Sequence, residues 1–129
     1  DNKQPIWADN FLNVISQSKV ALNLSQGAPS KHYTSDRFAQ LIGNGLLVMI
    51  DKKTEISDFF KSDEIVTYEN VNDLSKKIIE FSNNDELRKK IAKKGRDKYF
   101  KYFNSTVVAE FLITKTFKVN KKFFWENKN

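Results

Sequence analysis

The chain has no cysteine, two prolines, four glycines and one histidine in 129 residues. Without cysteine, neither a disulfide framework nor thiolate chemistry can contribute. A single histidine, His32, cannot build a multi-histidine metal centre, and no metal site or cofactor is expected. The longest apolar run, Leu46–Ile50, falls far short of the ~20 residues that cross a bilayer as a helix. Asp1–Pro5 is polar, and no basic stretch precedes an apolar one, so no signal peptide is visible; a cytoplasmic location is expected. There is no initiator methionine, and the chain starts just before a predicted helix, as a piece of a longer protein would. A Walker loop, a nucleophile elbow, a dinucleotide fingerprint and the acidic cluster of a receiver domain are also missing.

What is present suits one globular domain, residues 1–129, with 40% hydrophobic residues available for a core. Lysine and arginine number 22 against 16 acidic residues, a net charge of +6. Such a surplus can serve nucleic acid, an anionic membrane or a phosphorylated ligand. An AT-rich coding sequence also yields this Asn-, Ile-, Phe- and Lys-rich composition, which discounts the charge as functional evidence. Arg88–Lys101 is dense in basic residues with Tyr99, Phe100, Tyr102 and Phe103 interleaved, a pattern nucleic-acid binders use. Yet Leu87, Ile91 and Tyr99 fall at helical spacing, which assigns at least some of these aromatics to a core. Nucleic acid is not the expected partner.

The periodicity predicts a helix over Trp7–Ser18, a strand over Val20–Ser25 and a loop over Gln26–Tyr33 punctuated by Gly27 and Pro29. Thr34 or Ser35 can cap the next helix by accepting from its first-turn amides. Phe38, Leu41 and Ile42 form that helix's buried face, and Gly43 and Gly45 end it. Leu46–Ile50 reads as a strand covered on both sides. A short helix or turn over Thr54–Phe60, a strand over Ile65–Tyr68 and helices over Val71–Ser82, Asp85–Tyr102 and Ser105–Val119 follow. The last helix carries Val108, Leu112 and Phe117. Residues 121–129 are expected to form a polar, mobile tail around Phe123, Phe124 and Trp125. Alternating strands and helices predict an α/β fold: a Rossmann-like, partial doubly wound parallel sheet of about three strands, with helices on both faces and C-terminal helices. So few strands leave a parallel edge open to upstream neighbours or to a second copy, making a homo-oligomer an expected partner state.

Two stretches, SDRFAQLIGNGLLVMID and FFKSDEIVTYENVNDLSKKIIEFSNNDELRKKIAKKGRDKYFKYF, carry a family resemblance. Together they resemble the C-terminal half of the nucleotide-sugar lobe of two-lobed (GT-B) glycosyltransferases of group 1, most of all the members related to spore-coat glycosyltransferases. The family's Leu-Arg-x-x-Ile-Ala-x-x-Gly pattern reads here as Leu87, Arg88, Ile91, Ala92 and Gly95. The resemblance covers roughly 20–113. It implies a nucleotide-diphosphate sugar as donor, an acceptor-binding lobe elsewhere in the parent protein, and negligible transferase activity for this portion alone, with no catalytic residue in it. Many members carry two glutamates separated by seven residues, one near the donor sugar and one on the nucleotide ribose. Aligning the small-residue turn with Gly43–Gly45 puts His32 and Gln40 at those positions. Gln40 can still exchange hydrogen bonds with a ribose diol, without the strength a carboxylate adds. This departure also fits a non-catalytic, degenerate interaction domain.

The loop before the helix holds the candidate donor contacts. In the functional reading the amides of Tyr33, Thr34 and Ser35 face a diphosphate and Arg37 adds a charged fork. In the plainer reading Thr34 and Ser35 only cap the helix, and Arg37 pairs with Asp36 or another carboxylate. Asp36 opposes a diphosphate unless it turns away. Asp51, just after a strand, reads as a loop cap.

Overall fold

The computed structural model describes residue 6 and residues 8–127. Trp7, expected to open the first helix, and the last two residues of the expected tail lie outside the described residues. Helix α1 (Ala8–Ser16) leads into strand β1 (Val20–Asn23), followed by helix α2 (Asp36–Gly43) and strand β2 (Leu47–Asp51). Two single 3-10 turns, Lys52–Thr54 and Ile56–Asp58, carry the chain over to strand β3 (Val66–Tyr68). Helices α3 (Val71–Asn83), α4 (Asp85–Tyr102) and α5 (Ser105–Thr116) complete the order, with a last 3-10 turn at Phe124–Asn127.

The three strands form one parallel sheet in chain order, β1-β2-β3. Val20 pairs with Leu47, and Met49 with Val66. Because partners in a parallel pair point the same way, the register sorts the side chains into two cores. Ala21, Val48 and Ile50 face the first, together with Phe38, Leu41 and Ile42 of α2 and Ile56 and Phe60 of the crossover. Leu47, Met49, Val66 and Tyr68 face the second, against Phe81 of α3 and Ile91 and Ala92 of α4. Leu47, Val48, Met49 and Ile50 are essentially sealed from water, as a central strand covered on both faces requires. Burial of each contributes about 1.5–3 kcal/mol. The expected partial doubly wound sheet with helices on both faces is thus the observed one.

Helix ends explain how the chain turns. Leu46 N–H donates to Leu41 C=O and Gly45 N–H to Ile42 C=O, the paired bonds of a Schellman ending. Gly45 supplies the left-handed residue, at φ +80°, that this ending requires. Gly43 has no such role; it is the last residue of α2. At Gly95 the reason for glycine is space. A Cβ there would lie 2.1 Å from the Glu64 carbonyl oxygen and 3.5 Å from Ile42. Helix α4 touches the second core with Ile91 and Ala92 and the first with Tyr99 and Phe103. Gly95 lies between these two contacts.

Two helix faces differ from the apolar positions that spacing offers, Phe11, Leu12 and Ile15 on α1 and Val108, Leu112 and Phe117 on α5. On α5, Val108, Leu112 and Phe117 are exposed, and the inward side is Val107, Phe111 and Thr114. The helix is apolar on nearly every side, so spacing alone could not choose its buried face. On α1, Ile15 is buried and Phe11 half-buried, while Leu12 is exposed. The final segment folds back: Phe123 is buried, Trp125 stacks on Phe103 at 5.6 Å, and Phe124 stacks on Tyr102 at 4.3 Å.

Candidate functional site

In a parallel sheet the loop after a strand emerges at the carboxyl rim and delivers the next helix with its N-terminus facing that rim. The loop between β1 and α2 does so here, and its local bonds decide which groups remain open. His32 adopts a left-handed conformation, φ +59°, and its N–H donates to Thr54 C=O at 2.7 Å. Its ring packs edge-on against Phe59 at 4.6 Å, with Nε2 2.9 Å from Asp58 Oδ2. Lys31 pairs with Glu55 at 2.8 Å. Adjacent residues of the loop are therefore pinned to the β2–β3 crossover.

The amide of Tyr33 is already used, donating to Ser30 C=O at 3.1 Å, while its side chain is exposed. Ser35 stands at the N-cap position with extended backbone, but its hydroxyl does not cap the helix. It donates instead to Asn23 Oδ1 at 2.6 Å. Asn23 ends β1 at 1% exposure, and its amide nitrogen has no partner among the described residues. The expected side-chain cap from Thr34 or Ser35 is thus replaced by a tie to the strand. Helices α3, α4 and α5 differ: Asn70, Asn84 and Asn104 accept from the first-turn amides of Asp73, Leu87 and Val107. At α2 the amides of Thr34, Ser35, Asp36 and Arg37 find no acceptor among the described residues. The open donors thus sit one residue further along than expected.

These groups border a cleft of about 360 Å³ lined by His32, Thr34, Ser35 and Asp36 on its polar side. The opposite wall includes Phe38, Phe59, Phe60, Tyr99, Phe103 and Val108. Burial pushes the Tyr99 phenol above its ordinary range, so it stays protonated at neutral pH. Of the sequence-derived residues, the cleft gathers His32, Thr34 and Ser35; Tyr33, Arg37 and Gln40 lie outside its lining. Arg37 is exposed and forms no ion pair among the described residues, and Gln40 is exposed on the same helix. Asp51 caps the following 3-10 turn by accepting from Lys53 N–H at 2.8 Å.

Sequence reasoning missed Asn23, Glu55, Phe59 and Asp58. A lone asparagine inside the apolar run of β1 was the available signal, since a buried amide needs partners. His32, Glu55 and Asp58 also bring three metal-ligand types within 4.8 Å. Lys31 already pairs with Glu55 and His32 hydrogen-bonds Asp58, so the cluster's groups already have partners within the chain.

A family model described as glycosyl transferase-like matches residues 1–114. The chain belongs to the glycosyl transferase-like family. No curated protein and no solved structure matches it. Membership accounts for the group 1 resemblance of the α4 pattern, and no helix of the described residues is long and apolar enough to cross a membrane.

Proposed function

We propose that this glycosyl transferase-like domain forms part of the binding surface for a nucleotide-diphosphate sugar, in a parent enzyme that transfers the sugar to an acceptor hydroxyl. The observation that carries the reading is the uncapped start of α2, where Thr34–Arg37 present free amides beside an aromatic-walled cleft. Free amides at a helix N-terminus suit phosphate oxygens, and the helix dipole adds partial positive charge.

In the transfer, the bond between the anomeric carbon and the donor phosphate oxygen breaks, and the acceptor oxygen forms the new one. The diphosphate leaves with an additional negative charge. Amides fixed in place before the reaction favour that charge without reorganising. Arg37, exposed and without an ion pair among the described residues, supplies a flexible side-chain cation for the same oxygens. Gln40 serves the ribose, and His32 holds the loop through Thr54 and Asp58. The acceptor lobe, the base contacts and the group that takes the acceptor proton belong to other parts of the parent protein. A cytoplasmic setting goes with this reading.

Isothermal titration with uridine and guanosine diphosphates tests it. Saturable binding that weakens about threefold to tenfold in Arg37→Ala is expected, the range of one exposed charge-assisted contact. Absence of heat at millimolar ligand overturns it. A second reading, a non-catalytic interaction domain, draws on the missing carboxylates at 32 and 40 and on the prior engagement of His32 with Asp58. That reading predicts the absence of heat.

A further inference from the structure

Helix α5 has the sequence STVVAEFLITKT, with Glu110 and Lys115 as its only charged residues. Its inward side rests on Val107, Phe111 and Thr114. At 100° per residue, Val108, Leu112, Ala109, Ile113 and Phe117 sweep the opposite half-turn without one charge among them. Leu112 is 60%, Ile113 59%, Phe117 73% and the following Val119 57% exposed. Glu110 and Lys115 mark the two borders of this arc, and both are engaged, with Lys121 and Glu126 respectively. Ser105, Thr106 and Thr116 fall within the same arc, which is thus uncharged and mostly apolar, and an exposed, mostly apolar surface of this kind marks a contact site.

Charge decides what fits it. Between residues 105 and 127 stand four lysines, 115, 118, 121 and 122, against two glutamates. Lys118 and Lys122 have no carboxylate within ion-pair distance among the described residues. Lys118 also ends α5 in a left-handed conformation, φ +54°, beside the exposed Phe117 and Val119. An apolar helical face followed in the chain by two lysines without a paired carboxylate, Lys118 and Lys122, matches an anionic lipid surface, where the apolar groups enter the acyl boundary and the lysines meet headgroup phosphates. A second copy of the chain would bring the same positive surplus against itself, which opposes pairing. We infer that the outward arc of α5 docks on an anionic bilayer, lying in its surface rather than crossing it. Val108 belongs both to this arc and to the wall of the cleft, so docking sets the cleft beside the bilayer.

The test is co-sedimentation of the full chain with vesicles of phosphatidylcholine alone and of phosphatidylcholine mixed with phosphatidylglycerol. Binding to the mixed vesicles is expected, weakened by salt because the lysine contribution is screened. Phe117→Glu should lower the bound fraction more than about tenfold, since a charge cannot enter the apolar layer. Lys118→Glu combined with Lys122→Glu should lower it by about fivefold or more for each lysine. These residues are exposed, so circular dichroism should not change; Leu112→Ser is a milder check on the same face. Lack of binding to the mixed vesicles overturns the inference. So does equal binding by Phe117→Glu, or a dimer seen by light scattering that Phe117→Glu dissolves.

Discussion

The α4 pattern carries part of the chain's family resemblance and the β1–α2 loop holds its candidate donor contacts, and the two do opposite things with their polar groups. Along α4 the polar groups near the core are mostly answered. Arg88, 9% exposed, donates to Lys19 C=O at 3.2 Å and to Asp85 at 2.9 Å, tying the helix to the residue before β1. Lys98 and Glu64, both largely buried, pair at 2.6 Å. Gly95 admits the Glu64 carbonyl where any side chain would collide. In the loop, by contrast, Ser35 spends its hydroxyl on Asn23 and leaves the start of α2 open. The more specific sequence pattern is therefore architectural. The proposed donor contacts lie in the stretch with the weaker signature.

The largest expected effect breaks the architectural side. Gly95→Ala gains about 1 kcal/mol of helix propensity but forces a backbone collision, and a net loss of about 2 kcal/mol or more is expected in urea unfolding. Gly43→Ala is the control. Its Cβ would meet only Phe100, at 3.9 Å, so its unfolding midpoint should stay level or rise. Equal losses in the two variants would erase the distinction. On the loop side, Asp36→Asn removes an acidic charge beside the open amides and should tighten nucleotide diphosphate binding about threefold to fivefold by titration. It should also cost the helix about 0.5 kcal/mol of dipole interaction. Weaker binding in that variant would mean the anion does not meet these amides.

The smallest effect concerns pH. Hydrogen bonds from Arg88 and Lys19 hold the Asp85 carboxyl below its usual range, those from Lys77 and the Glu69 amide do so for Asp73, and those from Lys115 and the Phe123 amide for Glu126. Folded values below unfolded ones mean that this stabilisation is whole above about pH 4.5 and is lost as pH falls through the folded values. All three pairs are solvent-accessible, so the decline in melting temperature should be shallow. It should also be independent of bound nucleotide.

Sequence spacing revealed the element order and the bounds of α4, because Leu87, Ile91 and Tyr99 keep one helical face through a long segment. It found the start of α2 as the candidate anion site, because Thr34 and Ser35 precede an apolar face after a glycine- and proline-marked loop. It could not see that Tyr33 closes a turn onto Ser30, or that Ser35 turns away toward Asn23. Both depend on how the loop is pinned to Thr54, Glu55 and Asp58, residues further along the chain that local spacing does not connect to it. Nor could it orient α5, where apolar residues on all sides leave periodicity nothing to select. The aromatic residues after 120 read as tail because their partners, Phe103 and Tyr102, are set by packing.

The strands pair in the order in which they are synthesised. Each new strand reaches a neighbour that already exists, and the bonds that reach back to Lys19, from Arg88 and to Ser82 C=O, wait for α3 and α4. Assembly can thus advance with translation, without a wait for remote pairing. The second core stays unfinished until α4 arrives with Ile91 and Ala92, and a chain halted before then holds Leu47 and Met49 open to water.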